Sequence, residues 1–287
     1  MKQLIGWAGR AISFFIYIAP PAIRKAMGTF LGWLWFDLFR IRRQIVLNNL
    51  KIAFPDKTES ERLQIGRQSL RNMGLNFVEY ALWPFLDKTN YLRYVEFHGQ
   101  EIMDSALTKG KGVLMLTCHL GHGDMALAGL SLHGYDMYLV SKFFKLQWLN
   151  DLWFGMRERM GTHFIAPRNS SYALLKALKR GGVVAIPLDQ FTGPPIGVRT
   201  TFFGHETGTA AGLAVMAQRS KAPVVLTYTY RNSMGKQAVT FVKEVPVLDG
   251  EAPEVTTQRF NDELEPLVRR HPEQWMWIHK RWKKFKY

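Results

Sequence analysis

Residues 113–126 read VLMLTCHLGHGDMA and combine a short apolar run with a glycine-rich turn. The first five residues have the composition of a buried strand. A turn that contains His119 and two glycines follows, and a helix is predicted to begin near Asp124. Catalytic and ligand-binding groups of open α/β sheets collect at the carboxyl ends of the strands. The stretch therefore predicts an α/β fold with a functional site directly after this strand.

The same alternation continues along the chain. Further strand-like runs are predicted at residues 137–140, 183–188 and 223–230, with helices between them at residues 122–132, 147–160, 171–180 and 209–219. Residues 237–245 predict a late, antiparallel strand, and residues 254–270 predict a helix. Strands that alternate with helices favour a mostly parallel central sheet flanked by helices on both faces.

Residues 44–86, which precede the alternating region, are predicted to be helical. Ala53-Phe54-Pro55-Asp56 ends one helix. Thr58, with Glu61 three residues later, has the spacing of a capping box and starts the next helix.

Composition narrows the classes of function. Of the 287 residues 47% are hydrophobic and 21% are charged, which is a globular composition, and the formal net charge is +15. This excess predicts a polyanionic partner: nucleic acid, an anionic bilayer surface or an acidic carrier protein. The aromatic residues lie mostly in apolar runs and form no recognisable nucleic-acid module, so we predict no nucleic-acid binding. The single cysteine, Cys118, has no partner for an internal disulfide.

The amino-terminal segment, residues 1–43, differs from the rest. It contains two apolar runs, residues 12–20 and 27–39, separated by Arg24 and Lys25. Each is shorter than the roughly 20 residues that a bilayer span needs. The aromatic and cationic flanks predict a membrane-associated helical segment, either an interfacial helix or a tilted span, with a buried hairpin as the alternative. No cleavage site of a signal peptide follows. Residues 44–287 are predicted to form one catalytic domain.

His119 and Asp124 are the candidate catalytic residues. Their spacing across the turn predicts that the Asp124 carboxylate reaches one imidazole nitrogen of His119 and leaves the other to take a proton from a hydroxyl. No G-x-S-x-G motif stands at a strand-to-helix turn, so we predict no serine nucleophile. A His–Asp dyad of this kind fits direct attack of an acceptor hydroxyl on an acyl thioester.

Two alternatives apply to the same residues. A histidine near the start of a helix is often structural, and this spacing also arises by chance. His119, His122 and Asp124 together resemble a metal cluster, but they lie on one short turn without another motif of zinc-site spacing. We therefore predict no metal.

The chain resembles a known family over almost its whole length. The matching residues, in order, are Arg43, Asn48-Asn49-Leu50, Ala53-Phe54-Pro55, Arg71-Asn72-Met73-Gly74, the HLGHGD stretch of residues 119–124, RERMG of residues 157–161, Leu188-Asp189-Gln190, Thr201-Phe202-Phe203-Gly204, Thr209, and HPEQWMWIHKRWK of residues 271–283. This pattern resembles the late acyltransferases of lipid A biosynthesis, the lauroyl and myristoyl transferases, a family that includes the phosphatidylinositol mannoside acyltransferases.

The resemblance implies a function. It implies a fold similar to that of the glycerolipid acyltransferases, an acyl carrier protein or coenzyme A thioester as donor, and a hydroxyl of a membrane glycolipid as acceptor. His119 would be the base and Asp124 the residue that orients it. No cofactor is expected beyond the acyl donor, and the expected location is the cytoplasmic face of the inner membrane.

Further residues are expected to bind substrate. Arg157 or Arg159 corresponds in spacing to an arginine of the family that binds or polarises the substrate, and the two residues point in different directions on their helix. The other candidates are His122, Lys142, Asp189, Gln190 and Phe203, the last as part of an acyl pocket.

Two positions depart from the family pattern. Many lipid A enzymes have glutamate at the position of Asp124 and arginine at that of Lys142. The aspartate resembles the branch that acylates mannosides, and the lysine lacks the fork that suits phosphate. The alternative acceptors are therefore a phosphatidylinositol mannoside, a lysophospholipid, or an ornithine or aryl lipid.

Overall fold

The computed structural model describes residues 2–141, 145–165 and 170–285. Within these ranges the helices are α1 Lys2–Ile18, α2 Pro21–Trp33, α3 Arg43–Ala53, α4 Glu59–Glu79, α5 Gln100–Thr108, α6 Gly123–His133, α7 Gln147–Glu158, α8 Ser170–Lys179, α9 Gly212–Ser220 and α10 Pro253–Arg270. The strands are β1 Val95–His98, β2 Val113–Thr117, β3 Met137–Val140, β4 His163–Ile165, β5 Val183–Pro187, β6 Gly197–Phe202, β7 His205–Ala210, β8 Val224–Arg231 and β9 Gln237–Val245. A π-helical turn, Leu34–Leu38, follows α2, and 3₁₀ turns lie at Tyr80–Phe85, Tyr91–Arg93 and Pro272–Gln274.

A mixed, mostly parallel sheet forms the centre of the described part of the chain. Its strand order is β1-β9-β8-β2-β5-β3-β4. β8, β2, β5, β3 and β4 run parallel, whereas β9 is antiparallel to β8 and carries β1 parallel to itself. The fold predicted from the alternating pattern, including the antiparallel strand at residues 237–245, is confirmed.

The sheet brings three loop segments to one edge. Because β2, β5 and β8 are parallel neighbours, the residues that follow them meet at their shared carboxyl end. β2 leads into the turn with His119, β5 leads to Asp189, and β8 ends at Arg231. This edge is the position of the site described below.

Four short strands, β1, β4, β6 and β7, were not predicted. The hairpin β6–β7 has the sequences GVRTTF and HETGTA, which are rich in threonine and lack a clear apolar alternation. Its interior is polar instead: Thr200 and Thr209 share a 2.7 Å hydrogen bond, and Asn261 of α10 donates to both at 3.1 Å. The helix predicted at residues 209–219 therefore begins later than expected, at Gly212, because the strand β7 continues to Ala210.

The capping box predicted at the start of α4 is present. The Thr58 hydroxyl accepts from the Glu61 amide, and the Glu61 carboxylate accepts from the Thr58 amide at 2.7 Å. Each side chain therefore satisfies a backbone group that the first helical turn leaves unpaired.

Three glycines bring α2 and α4 into direct backbone contact. A Cβ atom added at Gly74 would meet the carbonyl oxygen of Gly28 at 2.2 Å and the amide nitrogen of Gly32 at 2.8 Å. A side chain at Gly28 would in turn meet the Leu75 backbone at 2.4 Å. The crossing tolerates no side chain at these positions, so α2 is packed firmly against α4.

The segment predicted to associate with a membrane is helical, as expected. No helix among the described residues is long and apolar enough to cross a membrane. Membrane association of this segment stays a prediction.

Candidate active site

His119 is held by a carboxylate from the neighbouring strand. Its Nδ1 lies 2.7 Å from Oδ1 of Asp189, and its backbone amide donates to Oδ2 of the same residue at 2.8 Å. The indole Nε1 of Trp275 also donates to Oδ2, at 2.6 Å. Three hydrogen bonds thus converge on one carboxylate and fix both the backbone and the ring of His119.

Charge and hydrogen bonds explain why Asp189 is ionised although it is buried. Asp189 is only 1% exposed. Burial alone would raise its pKa, but His119 and the hydrogen bonds to its carboxylate lower the pKa to about 2. Burial likewise lowers the pKa of His119, but the Asp189 carboxylate outweighs this and raises it above its usual value. Asp189 therefore stays ionised and makes the imidazole a stronger base.

The second imidazole nitrogen lies beside Gln190. With Nδ1–H donating to Asp189, Nε2 of His119 carries the lone pair and accepts from Nε2 of Gln190 at 3.3 Å. The His119 side chain is one-third exposed. A hydroxyl that takes the place of the Gln190 amide can donate its proton to this nitrogen.

The spacing predicted a contact between Asp124 and His119, and this prediction is wrong: Asp124 binds other residues. Nε of Arg157 donates to its Oδ1 at 2.9 Å, Nη2 of Arg157 donates to Oδ2, and the Tyr80 hydroxyl donates to the same oxygen. Burial raises the pKa of Asp124, but Arg157 and these hydrogen bonds hold it below its usual value. The reason for the difference is that Asp189 already occupies Nδ1 of His119, while Arg157 offers Asp124 two parallel donors.

Arg157 and Arg159 have different surroundings, as their spacing predicted. Arg157 is buried, and its guanidinium lies 3.9 Å from the centre of the Trp153 ring. Its Nη1 has no hydrogen-bond partner within the described residues. Arg159 is exposed at the end of α7. Of the two arginines, Arg157 lies at the site, and the two N–H groups of its Nη1 have no partner among the described residues.

His122 lies beside this ion pair and caps α6. Its Nδ1 accepts from the Met125 amide at 3.4 Å, and its ring packs edge-on against Tyr80. Burial lowers the pKa of His122 to about 4, so the ring is neutral and Nε2 carries the proton. That Nε2 has no partner among the described residues. His122 thus supports the turn and presents a buried donor.

The turn itself is clamped at Gly121. Its amide donates to the carbonyl of Gln274 at 3.1 Å, and its carbonyl accepts from Asn76 at 2.8 Å. Asn76 and Glu79 of α4 both accept from Arg231 at the end of β8. Gly121 has φ +62°, and a Cβ atom there would lie 2.8 Å from a carbonyl oxygen of β8. Only glycine fits this position.

The remaining predicted residues divide as follows. Gln190 contacts His119, as described. Phe203 is buried between Phe54 and Trp282, and no contact with His119 is observed in the described part of the chain. Lys142 lies outside the described residues. No group of three or more histidine, cysteine or acidic side chains within the described ranges is arranged to hold a metal ion; metal independence stays a prediction.

Two residues of the site were not assigned a role from the sequence. Trp275 belongs to the stretch that carries the family resemblance, so its position was noted without a function. Tyr80 follows α4 and gave no signal, because neither its spacing nor its surroundings distinguish it from other aromatic residues near a helix end.

We expect Asp189→Asn to lower the pKa of His119, because it removes the negative charge that raises this pKa and leaves burial, which lowers it. Titration of the ¹⁵N-labelled imidazole by NMR measures the change. Asp136→Asn is the matched control, because Asp136 pairs with a different histidine, His163, 3.1 Å away at the surface. It should leave the titration of His119 unchanged. An unchanged or higher pKa of His119 in Asp189→Asn would refute the electrostatic role.

Comparison with known proteins gives the same family as the sequence pattern. A model of the bacterial lipid A biosynthesis acyltransferase family matches residues 1–284. The chain is 26% identical over 288 residues to a lipid A biosynthesis lauroyltransferase of Escherichia coli strain K12, and this alignment covers 98% of this chain and 92% of that protein. It is 24% identical over 275 residues to a lipid A biosynthesis myristoyltransferase of the same strain, with 95% and 84% covered. A lipid A biosynthesis palmitoleoyltransferase of that strain is 24% identical over 288 residues, with 98% and 92% covered.

The match extends over the amino-terminal helices, the sheet and the carboxyl-terminal tail, and therefore includes every segment that contributes to the site. His119 at the end of β2 and its contact with the buried Asp189 carboxylate lie within this match. The chain is an acyltransferase and belongs to the bacterial lipid A biosynthesis acyltransferase family.

Proposed function

We propose that this enzyme transfers a fatty acyl chain from an acyl thioester of acyl carrier protein to a hydroxyl of a lipid A precursor. The observation that carries the proposal is the hydrogen bond of Nδ1 of His119 to the buried Asp189 carboxylate, which leaves Nε2 of a partly exposed ring as an oriented base. The relatives named as lauroyl-, myristoyl- and palmitoleoyltransferases of lipid A biosynthesis support this acceptor over a mannosylated inositol lipid.

The chemical step uses His119 as general base. The acceptor hydroxyl donates its proton to Nε2 while its oxygen attacks the thioester carbonyl carbon. The carbon–sulfur bond then breaks, and the proton passes from the imidazolium to the leaving thiolate. Asp189 stabilises the imidazolium between these two transfers and keeps the ring in the tautomer with Nε2 free. Asp189 is thus a positioning residue in this proposal.

Asp124 has a different task in the same proposal. Its two oxygens accept from Nε and Nη2 of Arg157, while Nη1 of Arg157 has no partner among the described residues. We assign Nη1 to a substrate oxygen, such as the thioester carbonyl, whose negative charge grows during attack. The spacing of the motif would then place the base, His119, and the carboxylate that holds Arg157 on one turn.

A bilayer surface is the proposed location. The helices α1 and α2 expose large apolar side chains, among them Phe15 at 67% and Phe30 at 56%. Arg24 and Lys25 lie between the two apolar runs, and Arg40 and Arg42 follow them. This mixture suits the interface of an anionic membrane, and we infer the cytoplasmic face of the inner membrane, where an acyl carrier protein is available.

We expect purified protein supplied with acyl carrier protein thioester and a lipid A precursor to form an acylated lipid, detected by mass spectrometry. His119→Ala should lower the rate by about 10² to 10⁴, as expected for loss of a general base. His205→Ala is the matched control, because His205 is an exposed histidine on the β6–β7 hairpin. The base assignment fails if His119→Ala keeps more than about a tenth of the rate, and the reaction itself fails if the wild type adds no acyl chain.

Substitutions of Arg157 in α7 and of Arg159 directly after it should change the reaction rate by different amounts. We expect Arg157→Ala to weaken transition-state stabilisation by about 2 kcal/mol or more, and Arg157→Lys to restore little, because an ammonium lacks the planar fork that meets both oxygens of Asp124 and still leaves Nη1 for a ligand. Arg159→Ala should change it by less than about 1 kcal/mol, as is typical of a surface charge. Steady-state rates measure both, and circular dichroism checks that the variants are folded. Equal effects at the two positions would remove Arg157 from the site.

Membrane association is tested by flotation with vesicles that contain phosphatidylglycerol. Phe15→Asp and Phe30→Asp should each reduce the bound fraction, because they place a charge on the apolar face of α1 or α2. Tyr172→Asp is the control, because Tyr172 is 76% exposed on α8, outside this segment. Equal flotation of all variants would show that α1 and α2 do not contact the bilayer.

A further inference from the structure

The carboxyl-terminal tail is bound along the turn that carries His119. The Gly121 amide donates to the carbonyl of Gln274 at 3.1 Å, and the Met276 amide donates to the carbonyl of His119 at 3.1 Å. Trp275 lies between these two hydrogen bonds, so its backbone is fixed against the turn. The tail therefore holds this side chain at a defined place beside the base.

The side chain of Trp275 is held as firmly as its backbone. The residue is 1% exposed, and its carbonyl accepts from the Ser69 hydroxyl at 2.7 Å. Its ring meets that of Trp277 edge-on, with ring centroids 4.5 Å apart, and the centroids of Phe202 and Trp282 lie at 6.0 and 6.3 Å. Packing against these rings gives the indole N–H one fixed direction.

This N–H differs in origin from the other donors to the Asp189 carboxylate. The amide and the imidazole that donate to Asp189 both belong to His119, so they tie the carboxylate to the residue that it is meant to orient. The Trp275 indole donates to Oδ2 from the tail, at 2.6 Å. It is thus a donor that anchors the carboxylate from outside the pair that Asp189 forms with His119.

Charged groups act on the same pair from several sides. Burial lowers the pKa of His119, and the carboxylates of Asp189 and Asp124 raise it. The buried Arg281 on the tail attracts Asp189. His279 interacts with both members of the pair, but burial lowers its pKa to about 4 and leaves it neutral. A substitution that spares these groups leaves their charges in place.

The indole N–H changes how strongly Asp189 acts on His119. Burial raises the pKa of Asp189, and His119 and the indole of Trp275 lower it. The N–H turns the positive end of its dipole toward the carboxylate, so it offsets part of the negative charge that a protonated His119 meets. Trp275 thus stabilises the ionised carboxylate and limits its pull on the imidazolium.

We propose that the indole N–H of Trp275 is a positioning group for the catalytic base, which anchors the Asp189 carboxylate and sets how much of its charge acts on His119. The inference rests on the proposed function, because it assigns a group that serves the proposed base. Trp275 acts on His119 through Asp189 and is therefore a positioning residue. The base of this enzyme would then depend on a residue of the carboxyl-terminal tail.

The test removes the N–H in two ways. Trp275→Phe removes the donor together with part of the ring. Replacement of Trp275 by β-(3-benzothienyl)alanine, introduced by stop-codon suppression, keeps the bicyclic ring and exchanges only the N–H for sulfur. Trp277→Phe is the matched control, because Trp277 is equally buried and its indole donates at the same distance, 2.6 Å, but to the carbonyl of Pro272. Circular dichroism checks that each protein is folded.

We expect both changes at Trp275 to raise the pKa of His119 by about half a unit, the size expected for one neutral hydrogen bond. The direction separates this role from a merely structural one. A loosened tail would lengthen the contact between His119 and Asp189 and lower the pKa of His119, as Asp189→Asn is expected to do. Titration of the ¹⁵N-labelled imidazole by NMR measures the shift, and Trp277→Phe should leave the pKa of His119 unchanged.

The same changes should appear in the reaction rate. We expect kcat to fall about fivefold, because the carboxylate loses its outside anchor, and KM to stay within about twofold, because the buried indole lies behind Asp189. His119 must be neutral to take a proton, so a raised pKa moves the acid limb of the pH profile of kcat to higher pH. The profile of Trp277→Phe should coincide with that of the wild type.

The titration separates this inference from the proposed reaction, because it needs no turnover. An unchanged or lowered pKa of His119 in the benzothienyl protein overturns the positioning role, and so does an equal rise in Trp277→Phe. If the wild type transfers no acyl chain but the titrations differ as expected, the reaction fails and the role of Trp275 stands. If transfer proceeds and the titrations coincide, only the role of Trp275 fails.

Discussion

The site depends on one buried carboxylate, that of Asp189. An ionised group that is almost wholly removed from water is stable only if charge and hydrogen bonds replace its hydration. Here the replacement comes from the backbone and ring of His119 and from the indole of Trp275. The same requirement ties the carboxyl-terminal tail to the strand ends, because Trp275 also pairs its backbone with Leu120 in the turn. The turn with His119, the end of β5 and the tail thus all meet at a single buried charge.

The two aspartates near the turn have separate partners for a physical reason. The Asp124 carboxylate and the Arg157 guanidinium form a pair that is close to neutral, and the Asp189 carboxylate is satisfied by three donors from His119 and Trp275. Two carboxylates on one imidazole would instead leave a second buried negative charge uncompensated. The motif thus contributes one residue to each of two adjacent pairs.

Local features of the fold were predictable, and pairings between distant segments were not. The strand at residues 113–117 and the capping box at Thr58 depend on neighbouring residues, so the sequence pattern was sufficient for both. Asp189 was recognised as a residue at a strand end, but its contact with His119 requires β5 to lie beside β2, and strand order is not encoded in local periodicity. For that reason the spacing pointed to Asp124. The β6–β7 hairpin was missed because threonine, asparagine and arginine side chains fill its interior, where the search for strands relied on apolar residues.

The glycine crossing between α2 and α4 has a consequence for how the amino-terminal helices can be altered. Because the backbone of α2 lies directly on that of α4, and α4 supplies Asn76 and Glu79 to the clamp on the catalytic turn, α2 is part of the scaffold. It cannot be exchanged for an unrelated hydrophobic anchor of equal length, since such a helix would bring side chains into a contact that admits none. A chimeric enzyme with a foreign leader would have to keep Gly28 and Gly32 to fold around the same active site.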